Sequence, residues 1–77
     1  MEDLLEYLAK SLVDSPDQVR VVRSERDDAV VLQLYVAPDD VGKVIGRHGR
    51  IARALRTVVR ASGVKTGERA IVEIVEA

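Results

Sequence analysis

Val44-Ile45-Gly46-Arg47-His48-Gly49-Arg50-Ile51 places two basic residues between two glycines, with apolar residues on either side. Upstream, Pro38 with Asp39 and Asp40 signals a helix start, since proline suits the first turn and acids favour the positive helix end. A short helix over Asp39–Ile45 is expected. Gly46 tolerates the left-handed backbone that closes such a helix. Downstream, Ile51, Ala54, Leu55, Val58 and Val59 recur at helical spacing and predict a second helix from Arg50 to Ser62, ended by Gly63. A tight loop without Cβ obstruction, followed by a helix N-terminus with free N–H groups and a positive dipole end, is an arrangement suited to a phosphate chain. Arg47 and His48 at the loop tip add side-chain donors. A G-x-x-G by itself is weak evidence, so the surrounding chain has to support it.

Working outward, Leu4, Leu5, Leu8 and Leu12 fall at helical spacing behind Glu2, Asp3 and Glu6, an amphipathic helix that should stop near Asp14 because Pro16 disfavours helical Ser15. Val19–Ser24 alternates as a short strand. Glu25-Arg26-Asp27-Asp28 reads as a polar turn, and Ala29–Val36, almost continuously β-branched or aliphatic, as the most buried strand. A loop over Lys65–Glu68 and a last strand over Arg69–Val75 complete an α-β-β-α-α-β order. The fold class is α+β. At 77 residues the chain accommodates one domain, with little room for a deep catalytic cavity beside its core.

Charge is segregated along this chain. Between Lys43 and Arg69 stand eight basic residues and one acid, a net +7, and the remainder carries −8. Solvated helix faces usually mix signs so that i,i+4 pairs form, yet no acid lies between Lys43 and Lys65. On a helical wheel with Arg50 at 0°, Arg53, Arg56 and Arg60 fall near 300°, 240° and 280°, whereas Ile51, Leu55, Val58 and Val59 fall at about 80° to 180°. The helix can therefore pack on a sheet and still present a cationic ridge. Arg47, Arg50 and Arg53 are the favoured phosphate contacts, with Lys43 one turn before Gly46.

Composition excludes much else. Cysteine is absent and His48 is the only histidine, which removes disulfides, thiol nucleophiles and cysteine- or histidine-based metal clusters. No recognisable motif joins His48 to a nucleophile or carboxylate pair, and the phosphate-binding pattern of a nucleotide hydrolase is missing around Gly42-Lys43-Val44. No cofactor, metal or small-molecule substrate is expected. No apolar run approaches a membrane span, and the acidic start does not look like a signal peptide, which points to the cytoplasm. Tyr7 and Tyr35, the only aromatics, lie in elements away from the loop, so binding has to rest on backbone capture, charge and shape.

The Val44–Ile51 stretch, in this element order, resembles the KH domain of RNA-binding proteins. Its V-I-G-x-x-G-x-x-I/L pattern is met except that Ile51 follows Gly49 by two residues and Ala52 takes the next place. With a helix and strand before the core, the order is similar to the bacterial type II KH arrangement, and the length and acidic Leu-rich start resemble the small KhpA family. The resemblance implies a single KH domain over residues 1–77, a three-stranded sheet with helices packed on one face, and single-stranded RNA in a narrow groove beside the glycine loop. On this reading Lys43, Val44, Ile45, Gly46, Arg47, His48, Gly49, Arg50, Ile51 and Arg53 form the RNA-binding site, Val44 and Ile45 as core or groove floor. It further implies an RNA chaperone or post-transcriptional regulator, self-association, and pairing with a larger KH-containing protein. The competing class is an interaction module whose basic half docks an acidic protein surface.

Overall fold

β2 (Ala29–Val36) is apolar along almost its whole length because it lies in the middle of the sheet. The computed structural model, which describes residues 1–77, pairs it antiparallel with β1 (Arg20–Arg26) and parallel with β3 (Arg69–Glu76). α1 (Glu2–Leu12) precedes β1, and α2 (Val41–Ile45) and α3 (Arg50–Thr66) fill the stretch between β2 and β3, giving the α-β-β-α-α-β order. Parallel neighbours need a long crossover, and here that crossover carries the glycine loop. Side chains alternate across a strand, so Val30, Leu32, Leu34 and Val36 face one way together with Ala70 and Val72. Against them pack Leu5 and Ala9 of α1, Val44 of α2, and Leu55 and Val59 of α3. All three helices thus cover one face of a three-stranded sheet.

Several boundaries differ from the sequence reading, each for a local reason. α1 stops at Leu12, where Val13 turns extended, and Pro16–Gln18 forms a 3-10 turn that delays β1 to Arg20. β1 then continues through Arg26, because the hairpin closes in two residues: Asp27 and Asp28 both take positive φ (52° and 63°), as a type I′ turn requires and as Asp tolerates better than most residues. Pro38–Asp40 is a 3-10 turn, and α2 proper begins at Val41. α3 passes through Gly63 and ends at Thr66. Gly63 serves close approach: a Cβ there would stand 2.6 Å from the Glu68 carbonyl oxygen and 3.3 Å from Met1 Sδ. The left-handed cap is Gly67 (φ 74°), where the N–H groups of Gly67 and Glu68 return to the carbonyls of Val64 and Gly63.

Candidate nucleic-acid interface

The glycine loop takes a backbone path in which three of four residues have positive φ. Gly46 (φ 75°, ψ 173°) ends α2 in a region essentially reserved for glycine, and its N–H donates to the Gly42 carbonyl at 2.9 Å. His48 (φ 57°, ψ 25°) and Gly49 (φ 73°, ψ 16°) are left-handed. The N–H groups of Gly49 and Arg50 donate to the carbonyls of Gly46 and Arg47, so these two donors are satisfied inside the loop.

The two glycines meet different surroundings. A Cβ on Gly46 would stand 2.3 Å from Ile51 Cγ1, because the half-buried Ile51 side chain folds back over the loop and packs against the core. A Cβ on Gly49 would meet nothing within 4 Å. Gly46 is required by the protein's own packing, whereas the space above Gly49 is open.

α2 has only five residues and is held from outside, since so short a helix is not stable alone. Val44 is fully buried beneath it. At its start stands Asp40, the one charged residue taken wholly out of solvent, at 1 % exposure. Its Oδ1 accepts the Asp14 N–H at 3.2 Å and its Oδ2 the Ser15 N–H at 3.0 Å, which ties the chain after α1 to the base of α2. Lys43 Nζ joins this cluster, 3.1 Å from Asp40 Oδ1 and 2.5 Å from Asp14 Oδ2. Burial alone would raise the Asp40 carboxyl, but the Asp14 N–H, the Lys43 ammonium and the Ser15 N–H together hold it below its ordinary value. Bonding to Asp14 and then to Asp40 correspondingly holds the Lys43 ammonium above its ordinary value. Lys43, a candidate anion contact from sequence, is therefore engaged by two carboxylates, Asp40 three positions before it and Asp14 29 positions before it.

Beyond the loop the situation reverses. Arg47, His48, Arg50 and Arg53 are exposed, and so are Arg56, Arg60, Lys65 and Arg69. The ion pairs of the molecule use Lys10, Arg23, Arg26 and Lys43 as their side-chain cations, and none uses a cation from Arg47 to Arg69. Of the sequence-chosen residues, Val44 lies in the core, Ile45 is exposed and Ile51 is half-buried. The residues sequence reasoning missed are Asp14 and Asp40. A Pro-Asp-Asp run reads as a helix start, and nothing in its spacing distinguishes the buried acid from the exposed Asp39. The interface can hold an anionic backbone by charge and shape, and no group of His, Cys, Asp or Glu residues is placed to hold a metal ion.

A glycine loop between two helices, inserted in the crossover of an α-β-β-α-α-β fold, defines a KH domain. Residues 2–74 match the family described as KhpA/KhpB, KH domain. The chain belongs to that family, whose members are non-catalytic. It is 53% identical over 75 residues to the RNA-binding protein KhpA of Clostridium acetobutylicum, covering 97% of this chain and 100% of that one. It is 51% identical over 76 residues to the RNA-binding protein KhpA of Aquifex aeolicus, covering 99% and 96%. With the RNA-binding protein KhpA of Bacillus subtilis the identity is 46% over 74 residues, covering 96% and 91%. No solved structure matches. No helix is long and apolar enough to cross a membrane.

Proposed function

We propose that this chain is a non-catalytic single-stranded RNA-binding protein that acts in RNA chaperoning or post-transcriptional regulation. The RNA backbone lies over Gly49, and Arg47, Arg50 and Arg53 contact its phosphates, while Gly46, Ile51 and Val44 shape the loop from within. Ile45, exposed beside the loop, offers apolar surface to a base. The observation that carries this reading is the contrast in charge pairing: before the loop Lys10, Arg23, Arg26 and Lys43 are matched with acids, Arg20 lying over the Tyr35 ring instead, whereas no cation from Arg47 onward has an acid partner. The names of the relatives support RNA as the anion. Three to five neutralised phosphates give a slope of log K against log salt of roughly −2 to −3.5 for a single strand. Duplex RNA binds more weakly, since the groove needs unpaired bases.

Replacing Arg47 and His48 together by Asp tests the reading. Asp tolerates the left-handed backbone at position 48, and solvated sites usually tolerate substitution within about 0.5 kcal/mol. RNA titration and thermal unfolding on one preparation should show lost binding at an unchanged melting temperature. Retained affinity in the folded double variant would reduce the loop to a turn.

A second reading concerns protein partners. Leu4 and Tyr7 of α1 and Val58 of α3 stay exposed, and Val58 lies on the flank of α3 away from Arg56 and Arg60. Self-association or pairing with another KH-containing chain through these residues leaves the cationic ridge free. Val58→Asp should then lower the sedimentation mass without altering the salt dependence of RNA binding.

A further inference from the structure

The far end of α3 holds a cavity that the glycine loop does not reach. It has a volume of about 390 Å³ and lies between α3 and the start of β3, lined by Arg60, Val64, Glu68, Arg69, Ala70 and Ile71. Val64 and Ile71 are apolar side chains left in solvent, 78% and 38% exposed. Arg60 and Arg69 stand at the same cavity without an acid partner, and Glu68 is bonded by Arg23 and the Thr66 hydroxyl. Apolar walls beside unpaired guanidinium groups match one ligand chemistry well: a planar nucleobase attached to a phosphate, stacked on an aliphatic surface or an Arg plane.

The place of this cavity connects it to the loop. Arg53, Arg56, Arg60 and Val64 follow at steps of three and four, so they share one stripe of α3. From Gly49 to Val64 the helix rises about 22 Å. Four nucleotides at stacked spacing cover about 14 Å, taking roughly 3.4 Å each. A strand held at the loop and continuing along the stripe therefore arrives at the cavity with bases beyond the four that a G-x-x-G loop clamps. Resting on the RNA-binding reading above, we infer that the cavity takes an unpaired nucleobase from the downstream part of the same RNA strand, with Arg60 and Arg69 flanking it. The site then reads a longer segment than the loop alone.

The test compares a tetranucleotide with a heptanucleotide of unstructured RNA, by fluorescence anisotropy at about 0.15 M salt, where the Debye length of roughly 8 Å isolates the loop from charges at the cavity. Val64→Asp and Arg60→Gln are made separately, and circular dichroism verifies that each folds. Wild type should favour the longer oligomer over the shorter by about tenfold more than either variant does, in line with the contribution of one stacked base. The larger number of registers open to the longer oligomer is common to all three proteins and cancels. Tetranucleotide affinity should be equal in all three. Equal length ratios in wild type and both variants would overturn the inference and leave the loop reading standing. Failure of wild type to bind either oligomer would overturn both.

Discussion

The two flanks of the glycine loop are built on opposite rules. Before it, α2 is tied down: Val44 is buried, Asp40 is bonded to the Asp14 and Ser15 N–H groups, Lys43 is held by two carboxylates, and Gly46 lies under Ile51. After it, Gly49 opens on free space and Arg47, Arg50 and Arg53 have no acid partner. Each side carries cations, Lys43 before the loop and Arg47, Arg50 and Arg53 in and after it, so the presence of positive charge does not by itself separate them. What separates them is whether each charge already has a partner, and an incoming polyanion gains most from cations that have none.

The sharpest way to break this comparison is to treat the glycines alike. Gly46→Ala introduces a side chain into a glycine-only conformation and against Ile51, at a cost of about 3 kcal/mol when backbone strain and overpacking are combined. With roughly 4–8 °C per kcal/mol for a domain of this size, the melting temperature should fall by more than about 10 °C. Gly49→Ala meets only the left-handed backbone, about 1–2 kcal/mol, and should lose about one to two thirds as much. Differential scanning calorimetry decides it. Equal losses would mean that the space above Gly49 is occupied by the protein's own motions.

Next in size is the effect of the unpaired arginines. Arg50→Gln with Arg53→Gln should weaken RNA binding by about tenfold or more and flatten the salt slope by about 1.4, two contacts at roughly 0.7 each. Stability should hold within about 0.5 kcal/mol per site. Arg23→Gln is the counterpart on the tied side. It breaks the link between Glu2 of α1 and Glu68 before β3, and should lower the melting temperature while leaving RNA affinity unchanged. If Arg23→Gln also flattens the salt slope, pairing status does not mark the interface.

Asp40 gives a smaller, pH-dependent effect. Its carboxyl is held below the ordinary value of 3.8 in the folded chain, so its contribution to stability is complete above that value and is lost as pH falls through the lowered one. Asp40→Asn should therefore melt several degrees lower than wild type at pH 7, with the gap closing as pH drops below about 3.8. A gap independent of pH would assign the loss to shape alone.

These effects also show what a linear chain discloses. The order of elements, the central strand and the ridge opposite the core were legible because hydrophobic spacing alone reports which face is buried. The end of α3 was not, because Gly63 and Gly67 look equivalent until Glu68 and Met1 are seen pressing on the first. The two-residue turn at Asp27 and Asp28 was hidden among other polar residues. The cluster around Asp40 joins positions 26 apart, and only the folded chain brings them together. For the candidate site, loop and arginines were visible as a pattern, whereas the state of Lys43 depends on where Asp14 arrives.

Lys43 carries the smallest expected effect and the finest distinction. By position it belongs with the ridge, one turn before Gly46, and by contacts it belongs with the tied flank. Its side chain is 41% exposed and that of Asp14 80%, so their ion pair contributes little to stability and exchanges readily with solvent. Lys43→Met keeps the aliphatic stem and removes only the charge. The N–H bonds to Asp40 remain but this buried carboxylate loses its only cation, so the melting temperature should fall at neutral pH, by less than in Asp40→Asn. RNA affinity should change by less than about twofold, and the salt slope should keep its wild-type value, because no phosphate contact is lost. Asp14→Asn supplies the reverse arm: it frees the ammonium from its nearer carboxylate but leaves Asp40 in place. Should Lys43→Met flatten the slope by about 0.7, or Asp14→Asn steepen it by as much, the lysine moves from carboxylate to phosphate when RNA arrives. The boundary between the two flanks would then fall before Lys43 instead of at Gly46.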